Sequence, residues 1–385
     1  MNFDLTEDQV AFSETAKQFA EQELAPHAAK WDKEHIFPKE VIQKAGELGF
    51  CALYTPEEAG GLGLSRLDSA IIFEQLASGC TATTAMMTIH NMATWMIASW
   101  GTEAIKDAWC STLVTGEHLA SYCLTEPGSG SDAASLRTTA KKDGDHYVIN
   151  GSKMFISGAG ETDVLVVMVR TGGRGAEGIS AVVIPADAPG IIYGKAEEKM
   201  GWNAQPTRLI TFEDVRIPVE NLLGNEGEGF KFAMMGLDGG RVNIAVCSIG
   251  TAQRALETAT EYMKTRTQFG KPLAAFQALQ FKLADMATEL VAARQMVRLA
   301  AFKIDSMDAD KTTYCAMAKR FATDVGFNVC NDALQLHGGY GYIQEYPLER
   351  HVRDVRVHQI LEGTNEIMRV IIGRRLLADN DNLIL

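Results

Sequence analysis

The chain has 385 residues, 46% hydrophobic and 22% charged, the balance of a soluble globular protein too long for a single core. A formal net charge of −13, from 36 Lys+Arg against 49 Asp+Glu, argues against nucleic acid or an anionic membrane as a partner. No apolar run approaches the ~18–20 residues needed to span a bilayer, and the histidines contain no H-E-x-x-H or comparable set, so neither a membrane nor a metal is expected.

Residues 1 to about 117 read as helical. Thr6 and Gln9 form a capping box ahead of Phe12, Ala16, Phe19 and Ala20 at helical spacing. Pro38 suits a first helical position, Gly49 a helix end, and Ser65 a cap; Thr83 to Trp100 reads as a buried helix. From about 118 to 225 the texture changes to short β-rich runs, such as Thr162–Arg170 and Ile179–Ile184. Gly144-Asp145, Gly172-Gly173 and Pro189-Gly190 punctuate them, which suggests a small antiparallel sandwich or barrel. From about 226 to 385 helical periodicity returns, with Pro272 to Asp305 long enough for a bundle helix. The order is helical, β, helical. Seven cysteines without a C-x-x-C pair fit reduced, buried thiols, and the acidic N-terminus lacks signal-peptide features, so a cytoplasmic location is expected.

Six stretches have ligand-type composition. Tyr122-Cys-Leu-Thr-Glu-Pro-Gly-Ser-Gly-Ser-Asp132 is dense in hydroxyls and glycines, so Thr125, Ser129, Ser131 and the backbone N–H groups can hold a polar ligand. Its partial likeness to a dinucleotide fingerprint is discounted, because Pro127 interrupts it and strands follow. Phe155 and Ser157, two apart, are expected on one face of a strand, where a ring can pack on one and accept from the other; a core Phe beside a turn Ser is the plainer alternative. Arg266–Gly270 and Gln335–Gly341 each follow a helix and suit phosphate, or are simple glycine-rich caps. Leu237-Asp-Gly-Gly-Arg241 reads as neither a cap nor a helix interior, and suggests close passage of a ligand. Finally, Glu362 stands between Leu361 and Gly363, ahead of a helix capped by Thr364. A carboxylate at such an elbow, in apolar company, has a raised pKa and suits a base near neutrality; the alternative is a surface Glu favouring the helix dipole.

Together and in this order, Tyr122–Asp132, Phe155–Ser157, Arg266–Gly270, Gln335–Gly341 and Leu361–Glu366 resemble the acyl-CoA dehydrogenase family along essentially the whole chain. The resemblance implies an α+β fold: an N-terminal helical domain (1–117), a β-barrel-like middle domain (118–225) and a C-terminal four-helix domain (226–385). It implies non-covalent FAD, a homotetramer, and electron-transfer flavoprotein as acceptor. Carried over by motif, FAD would be contacted by Tyr122, Leu124, Thr125, Gly130, Ser131, Phe155, Ile156, Ser157, Thr364, Asn365 and Glu366. Arg266, Gln268, Phe269, Phe276, Gln277, Gln335, Gly338 and Gly339 would complete the FAD site, with Arg266, Phe276, Gln277 and Gln335–Gly339 reaching it from a second subunit. Acyl-CoA would be held by Ser131, Asp238, Gly239, Gly240, Arg241 and Arg374.

By the same resemblance Glu362 is the α-proton base, opposite a flavin N5 that takes the β-hydride. Some relatives carry the base just before the arginine matching Arg241; here that position is Gly240 and is vacant. Phe155 replaces a more usual Trp, and Ser157 a Thr. The stretches Gly151–Gly160, Gly201-Trp-Asn-Ala-Gln-Pro-Thr-Arg208 and Leu237–Arg241, with Leu361 where straight-chain members often have Tyr, point to a short branched-chain substrate. Isobutyryl-CoA, as in valine degradation, is expected first, with 2-methylbutyryl- or short straight-chain thioesters as alternatives. An acyl-CoA oxidase is the enzymatic rival and a DNA-binding flavoprotein of the same fold the remote one, disfavoured by the acidic charge balance.

Overall fold

A computed structural model of the chain describes residues 4–378. Six helices open it: α1 (Glu7–Phe19), α2 (Ala25–Glu34), α3 (Lys39–Glu47), α4 (Arg66–Gly79), α5 (Thr81–Trp100) and α6 (Glu103–Val114). The Thr6/Gln9 capping box is present in both directions, and the Ser65 side chain accepts from the Asp68 N–H. Pro38 is the residue before α3 rather than its first turn. The α5 helix is apolar nearly all round because it is enclosed on every side, and its methionines pack in the core.

Eight strands follow: β1 (Ala120–Cys123), β2 (Thr139–Asp143), β3 (His146–Ser157), β4 (Val164–Arg170), β5 (Ile179–Pro185), β6 (Ile191–Tyr193), β7 (Thr207–Pro218) and β8 (Leu222–Leu223). The sheet order is β6-β7-β3-β2-β4-β5-β8. It is mixed rather than purely antiparallel: β1 lies parallel to β4 along its whole length, and β2 touches β4 in parallel. The continuous apolar runs of β4 and β5 have a simple cause. Val164, Val166, Met168, Ala181 and Val183 face a core built with α5 and α6, whereas Leu165, Val167, Val169, Val182 and Ile184 face a core built with β3 and β7. Both faces of these strands are covered, so neither reads as alternating.

The chain then enters α7 (Gly229–Thr265), makes the hairpin β9 (Thr267–Gln268) and β10 (Lys271–Pro272), and continues through α8 (Gln277–Asp305), α9 (Lys311–His337), α10 (Leu348–Arg356) and α11 (Asn365–Leu376). Pro272 therefore sits in a hairpin, and the bundle helix expected from it begins five residues later, at Gln277, after a short turn. Small residues at helical spacing let the long helices approach: Ala245, Ala252, Ala255 and Ala259 on α7, and Cys315, Ala318 and Ala322 on α9. The glycine pair 239–240 lies inside α7, which corrects the non-helical reading of Leu237–Arg241. Glycine there serves side-chain approach from outside: a β-carbon at 239 would meet Arg66 Nη2 at 1.6 Å, and one at 240 would meet Glu362 Oε2 at 2.5 Å.

A latch joins the sheet to the helices. Trp202, in the stretch before β7, is buried in a left-handed conformation. Its backbone N–H donates to Asp354 Oδ1 at 2.7 Å, and its Nε1–H donates to His358 Nε2 at 3.2 Å. His358 Nδ1 in turn pairs with the Ser248 hydroxyl on α7 at 2.7 Å.

Candidate active site

Glu362 and Gly363 form the elbow between the end of α10 and α11. Both are left-handed, with φ of 57° and 87°. A non-glycine residue there costs on the order of 1 kcal/mol, so the surroundings must hold it. Thr364 caps α11, accepting from the Ile367 N–H, as its sequence position suggests. Lys319 Nζ, on α9, donates to the Gly363 carbonyl at 2.8 Å and to Asn365 Oδ1 at 2.9 Å. Arg241 Nε approaches the Glu362 carbonyl at 3.4 Å.

The carboxylate of Glu362 points back at Gly240 on α7. Part of the residue meets solvent, but Oε2 is buried without a hydrogen-bond partner among the described residues. Burial raises its pKa from the ordinary carboxylate value to about 7, against the opposing pull of Arg241 and Lys319. The Tyr122 hydroxyl is likewise buried and unpartnered, and Glu362 lies within electrostatic reach of it. Two orphaned polar atoms in one place are what a bound ligand relieves. Asp238 and Arg241, one turn apart on α7, pair at 2.8 Å, and Asp238 Oδ2 also accepts from the Thr312 hydroxyl at 2.7 Å.

The Tyr122–Asp132 loop is pinned from below. Glu126 accepts from the Arg137 and Thr138 N–H groups, and Lys153 Nζ bonds both Glu126 Oε1 and the Leu124 carbonyl. Lys153 has no exposed surface. The fixed loop leaves Gly130 and Ser131 at the surface, with open space beside Gly128 and Gly130. Next to it Phe155 is 61% exposed and left-handed (φ 59°), at a register shift of β3 against β7. The regular alternation that would put Phe155 and Ser157 on one face is therefore broken between them, and the bulge, not strand periodicity, aims the ring. Ile156 is buried beneath. Of the remaining predicted residues, Asn365 is buried with its side chain engaged by Lys319, Thr323 and Asp324, whereas Glu366 and Arg374 are exposed on α11.

Arg266, Gln268, Gln335, Gly338 and Gly339 come together elsewhere, lining a cavity of about 660 Å³ with Tyr262, Tyr340 and Lys282. Arg266 lies 5.2 Å from the Tyr340 ring and has no carboxylate partner among the described residues. Nothing would stand within 4 Å of a β-carbon at Gly338 or Gly339. Phe276 packs edge-on against Phe269, which is 92% exposed, and Gln277 opens α8. At ~1.5 Å per residue, α7 holds Arg241 and Arg266 about 37 Å apart. Within one chain the predicted residues thus form two separate groups.

Lys319, Arg66 and the Glu126–Lys153 pair escaped sequence reasoning. The one visible signal was a lysine amid Cys315, Ala318 and Ala322 on a stripe otherwise apolar at helical spacing. Arg66 gave none: its guanidinium stacks 3.6 Å from the Tyr54 ring, a long-range contact.

Comparison with known proteins gives the family. The models for the N-terminal, middle and C-terminal domains of acyl-CoA dehydrogenase match residues 6–117, 121–215 and 227–377. Mitochondrial isobutyryl-CoA dehydrogenase of Bos taurus is 55% identical over 97% of this chain and 90% of its own length. The chain belongs to the acyl-CoA dehydrogenase family. Among solved structures, butyryl-CoA dehydrogenase from Megasphaera elsdenii superposes with a TM-score of 0.94 at 42% identity, covering 98% of this chain and 100% of that one. A chain described under the electron transferring flavoprotein of Acidaminococcus fermentans gives 0.96 at 44% identity, covering 98% and 100%. As an acyl-CoA dehydrogenase family member the chain is an oxidoreductase of a flavoprotein family. No helix among the described residues is long and apolar enough to cross a membrane.

Proposed function

We propose that this protein dehydrogenates a short branched-chain acyl-CoA, isobutyryl-CoA in preference, to the 2-enoyl-CoA, using FAD. The observation that carries the reading is Glu362: a carboxylate on a left-handed elbow, its Oε2 buried and unpartnered, its pKa raised to about 7. A thioester α-proton is weakly acidic, and such a base must be desolvated and fixed to take it. The identity with the bovine isobutyryl-CoA enzyme and Leu361 before the base support the branched acyl group.

The residues present fit FAD. The orphaned Tyr122 hydroxyl, the open Gly128 and Gly130 backbone and the exposed Phe155 make one half-site; the carboxylate-free Arg266 beside open glycine backbone makes the other. The Tyr122–Ser131 loop, Phe155–Ser157 and Thr364–Glu366 would hold the group from one subunit, and Arg266–Phe269, Phe276–Gln277 and Gln335–Gly339 from another. When bound, FAD supplies the acceptor for the β-hydride. Asp238 and Arg241, with Gly239, Gly240, Ser131 and Arg374, orient the thioester so that its α-carbon meets Glu362. Because the two half-sites are about 37 Å apart along α7, a homotetramer, or at least a pair of subunits, completes each site. The exposed Phe281, Val291 and Phe302 on α8 give such an assembly an apolar face. Electron-transfer flavoprotein is the proposed acceptor. All seven cysteines are free and buried, which supports a reducing, cytoplasmic location, and the three units are proposed to divide near residues 117 and 225.

The test is Glu362→Gln. It keeps size and backbone turn but removes the proton acceptor. Flavin content should survive, while anaerobic flavin reduction by isobutyryl-CoA should slow by ~10²–10⁴ or more. Reduction at near wild-type rate would overturn the reading.

A further inference from the structure

Lys319 is a buried cation that no motif accounts for. It has no exposed surface, and its neighbours on the same stripe of α9 are Cys315, Ala318 and Ala322, all buried. Enclosing an ammonium costs several kcal/mol unless it is well partnered. Its partners are not on its own helix. Nζ crosses to the Gly363 carbonyl at 2.8 Å and Asn365 Oδ1 at 2.9 Å, the residues immediately after and three after Glu362. Asn365 is itself tied down, its amide donating to the Thr323 hydroxyl and Asp324 Oδ1. The ammonium thus fastens both sides of the bend between the left-handed pair and the first turn of α11.

We infer that Lys319 is a positioning residue for proton abstraction: it fixes the elbow that presents Glu362 and holds a buried amine within electrostatic reach of that carboxylate. This rests on Glu362 being the base. Two facts separate it from a plain structural tie. A backbone carbonyl and an amide oxygen need only a neutral donor, so the charge is surplus to the anchoring. Moreover, the groups facing Lys319 are Glu362, Arg241, Asp324, Glu366 and His358, and those facing Glu362 are Arg241 and Lys319, with Tyr122 in reach of the carboxylate. Burial brings Lys319 down to about 7 and Glu362 up to about 7, each held back by the other's charge. In its ammonium form Lys319 therefore favours the carboxylate form of Glu362, opposing the burial that favours the neutral acid.

The experiment compares wild type with Lys319→Met, which keeps length but has neither donor nor charge, and Lys319→Gln, which keeps an N–H donor alone. Glu362 protonation is read directly by infrared absorption of its carboxyl band, assigned by its loss in Glu362→Gln. Flavin reduction by isobutyryl-CoA is read by stopped flow across pH 5.5 to 9. In Lys319→Met the Glu362 midpoint should rise by ~1 unit or more, and the limiting reduction rate should fall ~10-fold or more, with the substrate concentration for half-saturation within about twofold of wild type. Lys319→Gln should recover part of the rate but keep the raised midpoint. A lowered melting temperature with wild-type midpoint and rate would make Lys319 merely structural and overturn the inference. If Lys319→Met does not accumulate, Lys319→Gln decides: a raised midpoint supports it and a wild-type midpoint overturns it. Should Glu362→Gln itself keep activity, the dehydrogenase reading fails instead, a distinct result.

Discussion

Gly240 on α7 and Glu362 in the elbow before α11 approach so closely that a β-carbon at position 240 would stand 2.5 Å from Glu362 Oε2. The Glu362 carboxylate and the helix that carries Asp238 and Arg241 are thus fitted to each other at this position. Gly240→Ala should leave the fold and flavin content near wild type, because the obstructed atom is the far end of a flexible side chain. It should slow flavin reduction ~10-fold or more by displacing the carboxylate, and stopped-flow reduction with isobutyryl-CoA checks this. A wild-type rate would mean that Oε2 is not the reacting oxygen.

The raised pKa of Glu362 fixes the direction of the pH profile. Only the carboxylate accepts a proton, so kcat/KM should climb with pH through about 7 and then level. An ordinary exposed carboxylate would give a flat profile above pH 6. Glu362→Asp should keep the climb at lower rate, since the shorter side chain retains the acid but withdraws it from the substrate.

The Trp202–His358–Ser248 latch predicts acid lability. Burial lowers the His358 pKa to about 3, whereas the unfolded chain takes up its proton near 6.5. Its stabilising share is fully present above pH 6.5 and is lost as pH falls towards 3, at up to ~1.4 kcal/mol per pH unit. Melting temperatures between pH 7 and 5 should therefore fall less steeply in His358→Gln than in wild type, although the variant starts lower. Parallel slopes would show that other groups carry the acid response.

Arg266 predicts a coupling between cofactor and assembly. Its guanidinium has no acid partner among the described residues and lies far along α7 from Glu362. Arg266→Ala should lose FAD on dilution and lower the melting temperature, and added FAD should restore part of it. Sedimentation should show smaller species as FAD is lost. Wild-type FAD retention together with wild-type melting would break the link.

The order of helical, β and helical regions was legible because its signals are local: caps at Thr6, Ser65 and Thr364, the long apolar run of α5, and periodicity on α8. The Glu362 elbow was legible for the same reason, a glycine and a cap next to a lone carboxylate. What misled was local pattern under tertiary override. Gly239 and Gly240 read as a helix breaker, yet the helix continues because glycine makes room for Arg66 and Glu362 from other elements. Phe155 read as strand alternation, yet a bulge re-aims it. Lys319 showed only as a lysine on an apolar stripe and Arg66 not at all, since each matters through residues far off in the chain, Gly363 and Gly239.

The unbroken run of α7 from Gly229 to Thr265 has a consequence for how this protein can change. A helix transmits length as rotation: removing one residue between Arg241 and Arg266 would shorten the rod by ~1.5 Å and swing its far end by ~100°. Asp238 and Arg241 would keep their place at Glu362, while Arg266 would leave its cavity for another side of the bundle. Exposed positions along this stretch are free to drift in identity, but their number is not. The span is a ruler, and in the proposed assembly a subunit with one graduation missing cannot be matched to its neighbours.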